Sequence, residues 1–243
     1  MTEEWITVAC LFDSRPDRTD IEGILRELKT GSSNASLTGE LDMVYWDKID
    51  NIQQQTSSIE KAARTCLDWD TWMVSLDFQG FELRLSHTYS STDDGSLSGF
   101  PHLDITATVH PFVASGGDSI DEEIQRRRRR FVNVLSDFLT VADPVCAFGG
   151  RSEGRIQVSE DTVQALLRST TPPLFEYNLF NPNAVEAIGR DQIINAPAWH
   201  VEELESSRVF LITYQVPYIC SPRVNECLKV AEHLGLAVAE PER

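Results

Sequence analysis

His102 and Asp104, in the stretch Phe100-Pro101-His102-Leu103-Asp104-Ile105, stand two residues apart. In an extended chain that spacing turns both side chains to one face, the form of a metal corner. His110 shares the parity but follows eight residues later, about 26 Å along a straight strand, too far to serve the same ion. The plainer expectation is a solvated polar face opposite an apolar one. His87, between Leu85 and Tyr89, reads as a hydrogen-bonded histidine at the edge of a core. His200 and Glu202 repeat the same-face spacing. Residues 148–155, FGGRSEGR, have the glycine content of an anion cradle. They lack the Lys-Ser/Thr ending of a P-loop, so a glycine-rich structural turn is expected over 148–154. No GxSxG, HExxH, EF-hand or GxGxxG motif occurs. Nothing assembles a nucleophile, a base and an oxyanion donor, so no catalytic residue, cofactor or metal ligand is assigned.

The elements that would position these residues follow from periodicity. Residues 5–12 read as a strand, and 17–29 as a helix with Ile21, Ile24, Leu25 and Leu28 on one stripe, capped by Thr19 or Asp20 and ended by Gly31. A polar loop is expected over 31–39, a short strand over 41–46 and a helix over 57–67. Residues 71–78 and 81–89 alternate about Gln79-Gly80 as a hairpin, and 103–109 follow as a third strand. A long helix is expected over 118–142 and a short one over 159–168 with Ser159 as its cap. Residues 174–180 are extended, 182–194 helical with an interruption at Gly189, and 198–204 with 209–216 a second hairpin about Glu205-Ser206-Ser207. A last helix runs over 221–234, with Pro222 at its first position and Gly235 at its end. Consecutive strands in hairpins predict an α+β fold, a mixed or antiparallel sheet with helices packed on it. No linker divides the chain, so residues 1–243 read as one domain.

The charge is lopsided. Acids number 38 against 21 Lys and Arg, a formal net charge of −17 in 243 residues, and Lys occurs only at 29, 48, 61 and 229. Acid excess with Arg in place of Lys reads as adaptation to high salt, where cations screen the self-repulsion. Against that background, residues 126–130 are five consecutive arginines. Helical residues step by 100°, so these fan around the helix and make no basic stripe. Arg127 and Arg128 fall on the apolar side, with stems expected to cover the core edge and heads to reach water; Arg129 falls on the solvent side. Glu122 with Arg126 and Glu123 with Arg127 are i,i+4 pairs. A nucleic-acid grip is therefore not expected. The opening MTEEWITVACLF has acids where a signal peptide has bases, and no apolar run is long enough for a membrane span. Five scattered cysteines without a CxxC read as reduced buried thiols in a cytoplasmic protein.

Residues 177–218, YNLFNPNAVEAIGRDQIINAPAWHVEELESSRVFLITYQVPY, resemble part of the pattern of immunity-52-type proteins of bacterial polymorphic toxin systems. Tyr177, Phe180, Gly189, Arg190, Ala196, Pro197, Ala198, Glu203 and Leu204 carry the resemblance; Ser206 and Ser207 stand where that pattern usually has glycines. The resemblance implies an α+β fold, protein binding and no catalysis. The expected function is a non-catalytic binder from a salt-adapted organism, immunity-like toward a toxin partner, acting without nucleic acid or membrane. Its expected contact residues are Trp199, Glu202, Glu203, Glu205 and Tyr214, aromatics and acids about the second hairpin. The alternative is a hydrolase-like or metal-dependent enzyme using His102, Asp104 and His200.

Overall fold

Seven largely apolar residues, Trp5–Leu11, form β1, the strand about which the molecule is built. The structure is a computed structural model and describes residues 4–30, 41–46, 51–69, 71–88, 97, 99–113, 122–152, 156, 158–215, 217 and 224–239. β1 lies between β6 (His102–Thr108) and β7 (Cys146–Ser152), antiparallel to both. Beyond β6 come β5 (Phe81–Thr88), β4 (Thr71–Phe78), β2 (Leu41–Trp46) and the edge strand β3 (Asn51–Thr56). Beyond β7 come β8 (Tyr177–Phe180), β10 (Arg208–Ile212) and the other edge strand, β9 (His200–Leu204). The described residues thus form one ten-stranded sheet in which every strand runs antiparallel to its neighbours. This is an α+β fold.

Period-2 alternation divides the core between the two faces of the sheet. Val8 and Cys10 of β1 join a large cluster with α1 (Arg18–Thr30), α2 (Ile59–Asp68) and α3 (Glu122–Ala142). Ile21, Ile24, Leu25 and Leu28 of α1 are buried there as the periodicity predicts, with Phe131, Leu135 and Phe138 of α3. Each such side chain contributes roughly 1.5–3 kcal/mol by leaving water. Ala9 and Leu11 point the other way, to Phe148 and α4 (Glu160–Arg168). On that second face, Val209 and Leu211 of β10 meet α5 (Pro182–Ile188), α6 (Arg190–Ile194) and α7 (Asn225–Leu234).

Local signals set the helix ends. Asp17, not Thr19 or Asp20, caps α1: its carboxylate accepts from the amides of Thr19 and Asp20, while Asp20 accepts from Asp17 N. Ser159 caps α4 as expected, accepting from Thr162 N. Asn181 caps α5 ahead of Pro182, and Gly189 at φ 101° separates α5 from α6. Gly235 ends α7 in the left-handed region. Gly31 and Pro222, the loop at 31–39 and Asp118 lie outside the described residues.

Four expectations are corrected. Residues 148–152 are not a turn but part of β7, paired with β1 and, over Ala147–Gly149, with β8. The glycine is there for proximity: a Cβ on Gly149 would lie 2.1 Å from Thr7 O. His102 and Asp104 do not occupy a solvated face; they are buried at 4% and 8% exposure. Arg128 does not send its head to water, as described below. Cys10, Cys66 and Cys146 are free and buried, but Cys227 is disulfide-bonded, its partner outside the described residues. Burial pushes the Cys146 thiol up to about 12.

Candidate protein-binding site

α3 supplies both a sealed charge and an open surface, because its turns alternate between the core and solvent. Arg128 is 1% exposed. Its Nη2 lies 3.4 Å from Glu176 Oε1, and its Nε donates to Gln215 O at 3.1 Å. The guanidinium carbon sits 5.2 Å from the ring centres of Tyr177 and Trp199, 5.7 Å from Phe131 and 6.0 Å from Phe112. A buried cation thus meets a carboxylate, a carbonyl and four aromatic rings. Glu176, also 1% exposed, accepts at Oε2 from Arg151 N at 3.1 Å. The glycine-rich strand therefore does hold an anion at a backbone amide, and the anion is the protein's own.

Beside Trp199 the surface opens. Arg129, Val132 and Asn133 of α3, with Trp199 and His200, line a groove of about 380 Å³. Trp199 is half-buried, its amide donating to Ile212 O at 3.1 Å. His200 Nε2 lies 3.1 Å from Glu202 Oε2, and the same oxygen accepts from the Ser136 hydroxyl. The bond from His200 is the main cause holding the Glu202 carboxyl below the usual carboxylate range, Ser136 adding to it against the cost of burial. Ser136 bonds the carboxylate and not the imidazole, so the three do not form a hydroxyl nucleophile with its base.

The other residues read from sequence distribute as follows. Glu203 is exposed and paired with Arg190 at the start of α6. Glu205 is exposed in the 3-10 turn that joins β9 to β10. Ser206 and Ser207 hold φ of 61° and 60°, the geometry a glycine would adopt freely. Tyr214 lies beneath this surface, at 8% exposure in the cluster with α7, its hydroxyl accepting from Cys227 N at 2.9 Å. Tyr177 and Phe180 are core residues, and Tyr218 lies outside the described residues. The structure thus brings Trp199, Glu202, Glu203 and Glu205 together at one edge and places Tyr214 behind it. Ser136, Asn133 and Arg190 join them; only the i,i+4 spacing of Arg129 and Asn133 could have hinted at a shared α3 face.

His102 and His87 belong to the interior. His102 Nδ1 donates to Phe100 O at 2.9 Å, with Nε2 3.9 Å from Asp104 Oδ2, and His87 Nδ1 donates to His102 O at 2.7 Å. Among the described residues no group of three His, Cys, Asp or Glu side chains converges as a metal would require. No described helix is long and apolar enough to cross a membrane.

No protein-family model matches the chain, and no curated protein matches it. Among solved structures the fold is similar to the Pseudomonas aeruginosa T6SS protein PA0821, with a TM-score of 0.52 and 9% identity over 96% of this chain and 72% of that one. At that identity the likeness is one of fold.

Proposed function

We propose that this chain is a non-catalytic protein-binding protein, immunity-like, whose partner is a toxin carrying a basic surface. The observation that carries the reading is the β9–β10 hairpin: Glu202 lies on the face of the Trp199 groove, Glu203 on the opposite face of the same edge strand, and Glu205 in the turn that follows it. Aromatics flanked by charge suit a binding surface. The net charge of −17 would steer a basic partner toward it. Two likenesses support the class: the resemblance of residues 177–218 to immunity-52-type proteins, and the shared fold with a T6SS protein. The test is capture of a candidate toxin by the purified chain. Changing Glu202, Glu203 and Glu205 together to Arg should abolish capture; retention would place the surface elsewhere.

Salt adaptation belongs to the same reading. Thermal stability should rise strongly from dilute buffer to molar KCl as self-repulsion is screened. An unchanged melting temperature would remove that part. The expected cytoplasmic location is weighed against the Cys227 disulfide, because such bonds persist in oxidising compartments. Counting alkylated thiols in protein isolated from its host decides between a reduced Cys227, which keeps the cytoplasm, and an oxidised one, which moves the protein out of it.

A further inference from the structure

We infer that the outer edge of β9 is the docking line itself: an extended, Lys- or Arg-bearing segment of the partner adds to His200–Leu204 as an eleventh strand. The inference rests on the protein-binding reading and gives it a mode of recognition.

Position comes first. β9 is the last strand at its end of the sheet; among the described residues it has β10 on one side and no strand on the other. Alternate backbone N–H and C=O groups of an edge strand face outward and can pair with an added chain. Register then assigns the faces. His200 and Glu202 stand opposite Ile212 and Phe210, which point to the α3 side, while Val201 and Glu203 stand opposite Leu211 and Val209, which point to the α7 side. An added strand would therefore meet one glutamate on each face. On the α3 face, the groove beside Trp199 and His200 is placed to take one of its side chains. Main-chain pairing would supply affinity and the groove selectivity.

Charge chooses the occupant. A second copy pairing β9 with β9 would set glutamates against glutamates, which destabilises a ladder. A basic segment answers Glu202, Glu203 and Glu205 together. The opposite edge offers no such selection: β3 reads Asn-Ile-Gln-Gln-Gln-Thr and carries no charge.

The test uses the intact chain and a short synthetic peptide in which two adjacent Lys, one for each face, are flanked by Val. Binding is followed by amide hydrogen exchange at the lowest KCl concentration at which the chain stays folded. The expected result is slowed exchange within residues 200–204 and none within β3. Methylating alternate peptide nitrogens, which keeps the charge but removes strand pairing, should weaken binding by roughly tenfold or more. Glu203→Lys with Glu205→Lys should do the same, while Glu226→Lys with Glu232→Lys on α7 should change it by about twofold at most. Equal binding of the methylated peptide, or protection at β3 instead, overturns the inference. If the double variant at the turn fails to fold, the footprint and the methylated peptide decide alone. A toxin captured without any change at 200–204 would overturn strand addition and leave the protein-binding reading standing.

Discussion

Two neighbourhoods of the Trp199 indole use the same chemistry to opposite ends. In one, Arg128 and Glu176 are sealed from water, and the pair is closed by rings and a carbonyl. In the other, His200 pairs with Glu202 beside the open groove, and Arg190 pairs with Glu203 on the opposite, exposed face of the same edge strand. A sealed pair binds its own fold together, because removing either partner strands a charge where water cannot reach. An open pair costs little to rearrange, so it remains available to a partner. One aromatic side chain touches a sealed ion pair and also lines an open groove.

The largest effect that would sharpen this contrast is at the sealed pair. Arg128→Ala should lower stability by about 3–5 kcal/mol in urea denaturation, since Glu176 keeps its buried charge. Replacing both, Arg128→Met with Glu176→Leu, should recover much of the loss. A single-variant cost below about 1 kcal/mol would erase the distinction between the two neighbourhoods. Next, Tyr214→Phe should cost about 1–3 kcal/mol by leaving the buried Cys227 amide without its acceptor, read by the same method. Ser206→Gly should stabilise by about 1 kcal/mol, because glycine adopts the turn's positive φ without the steric penalty. On the open side, Glu203→Ala and Arg129→Ala should each stay within about 1 kcal/mol of the parent.

The smallest effect concerns pH. The folded Glu202 carboxyl titrates below its unfolded value, so its contribution is present above the unfolded carboxylate pKa near ~4.3 and is lost as pH falls through the folded one. Ser136→Ala should move the Glu202 titration upward when followed by carboxyl-resolved NMR. An unmoved titration would show that Ser136 takes no part in holding the carboxylate.

What the sequence made legible was what is local. The α1 stripe, the Gln79-Gly80 hairpin, the Ser159 cap and the break at Gly189 each rest on neighbours within a few residues, and each is where periodicity and capping place it. β3 was not foreseen, because NIQQQT is polar but for Ile52 and shows no alternation. β7 was misread because glycines usually mark turns; Gly149 is required by Thr7, about 140 residues away in the chain, and that proximity exists only in the fold. The helical wheel placed Arg128 on the apolar side but could not supply Glu176 or Trp199, whose contacts span 48 and 71 residues (176 − 128 and 199 − 128). His102 and Asp104 became interior residues because Leu97, Phe100 and α4 build a second layer over their end of the sheet. At the site, the glutamates were visible as a cluster; that they flank a sheet edge was not.

The central position of β1 has a consequence for how the chain comes off the ribosome. Trp5–Leu11 is made before both of its partners, His102–Thr108 and Cys146–Ser152, whose paired residues lie 91 (102 − 11) to 147 (152 − 5) positions further along the chain. The middle of the sheet therefore cannot close early. The β4–β5 hairpin, whose strands are adjacent, can form long before. The apolar face of β1 must wait unpaired through much of synthesis, a state exposed to misassociation. A chaperone that holds nascent chains, or slowed translation through residues 81–146, is therefore expected to raise the fraction of this protein that reaches its fold.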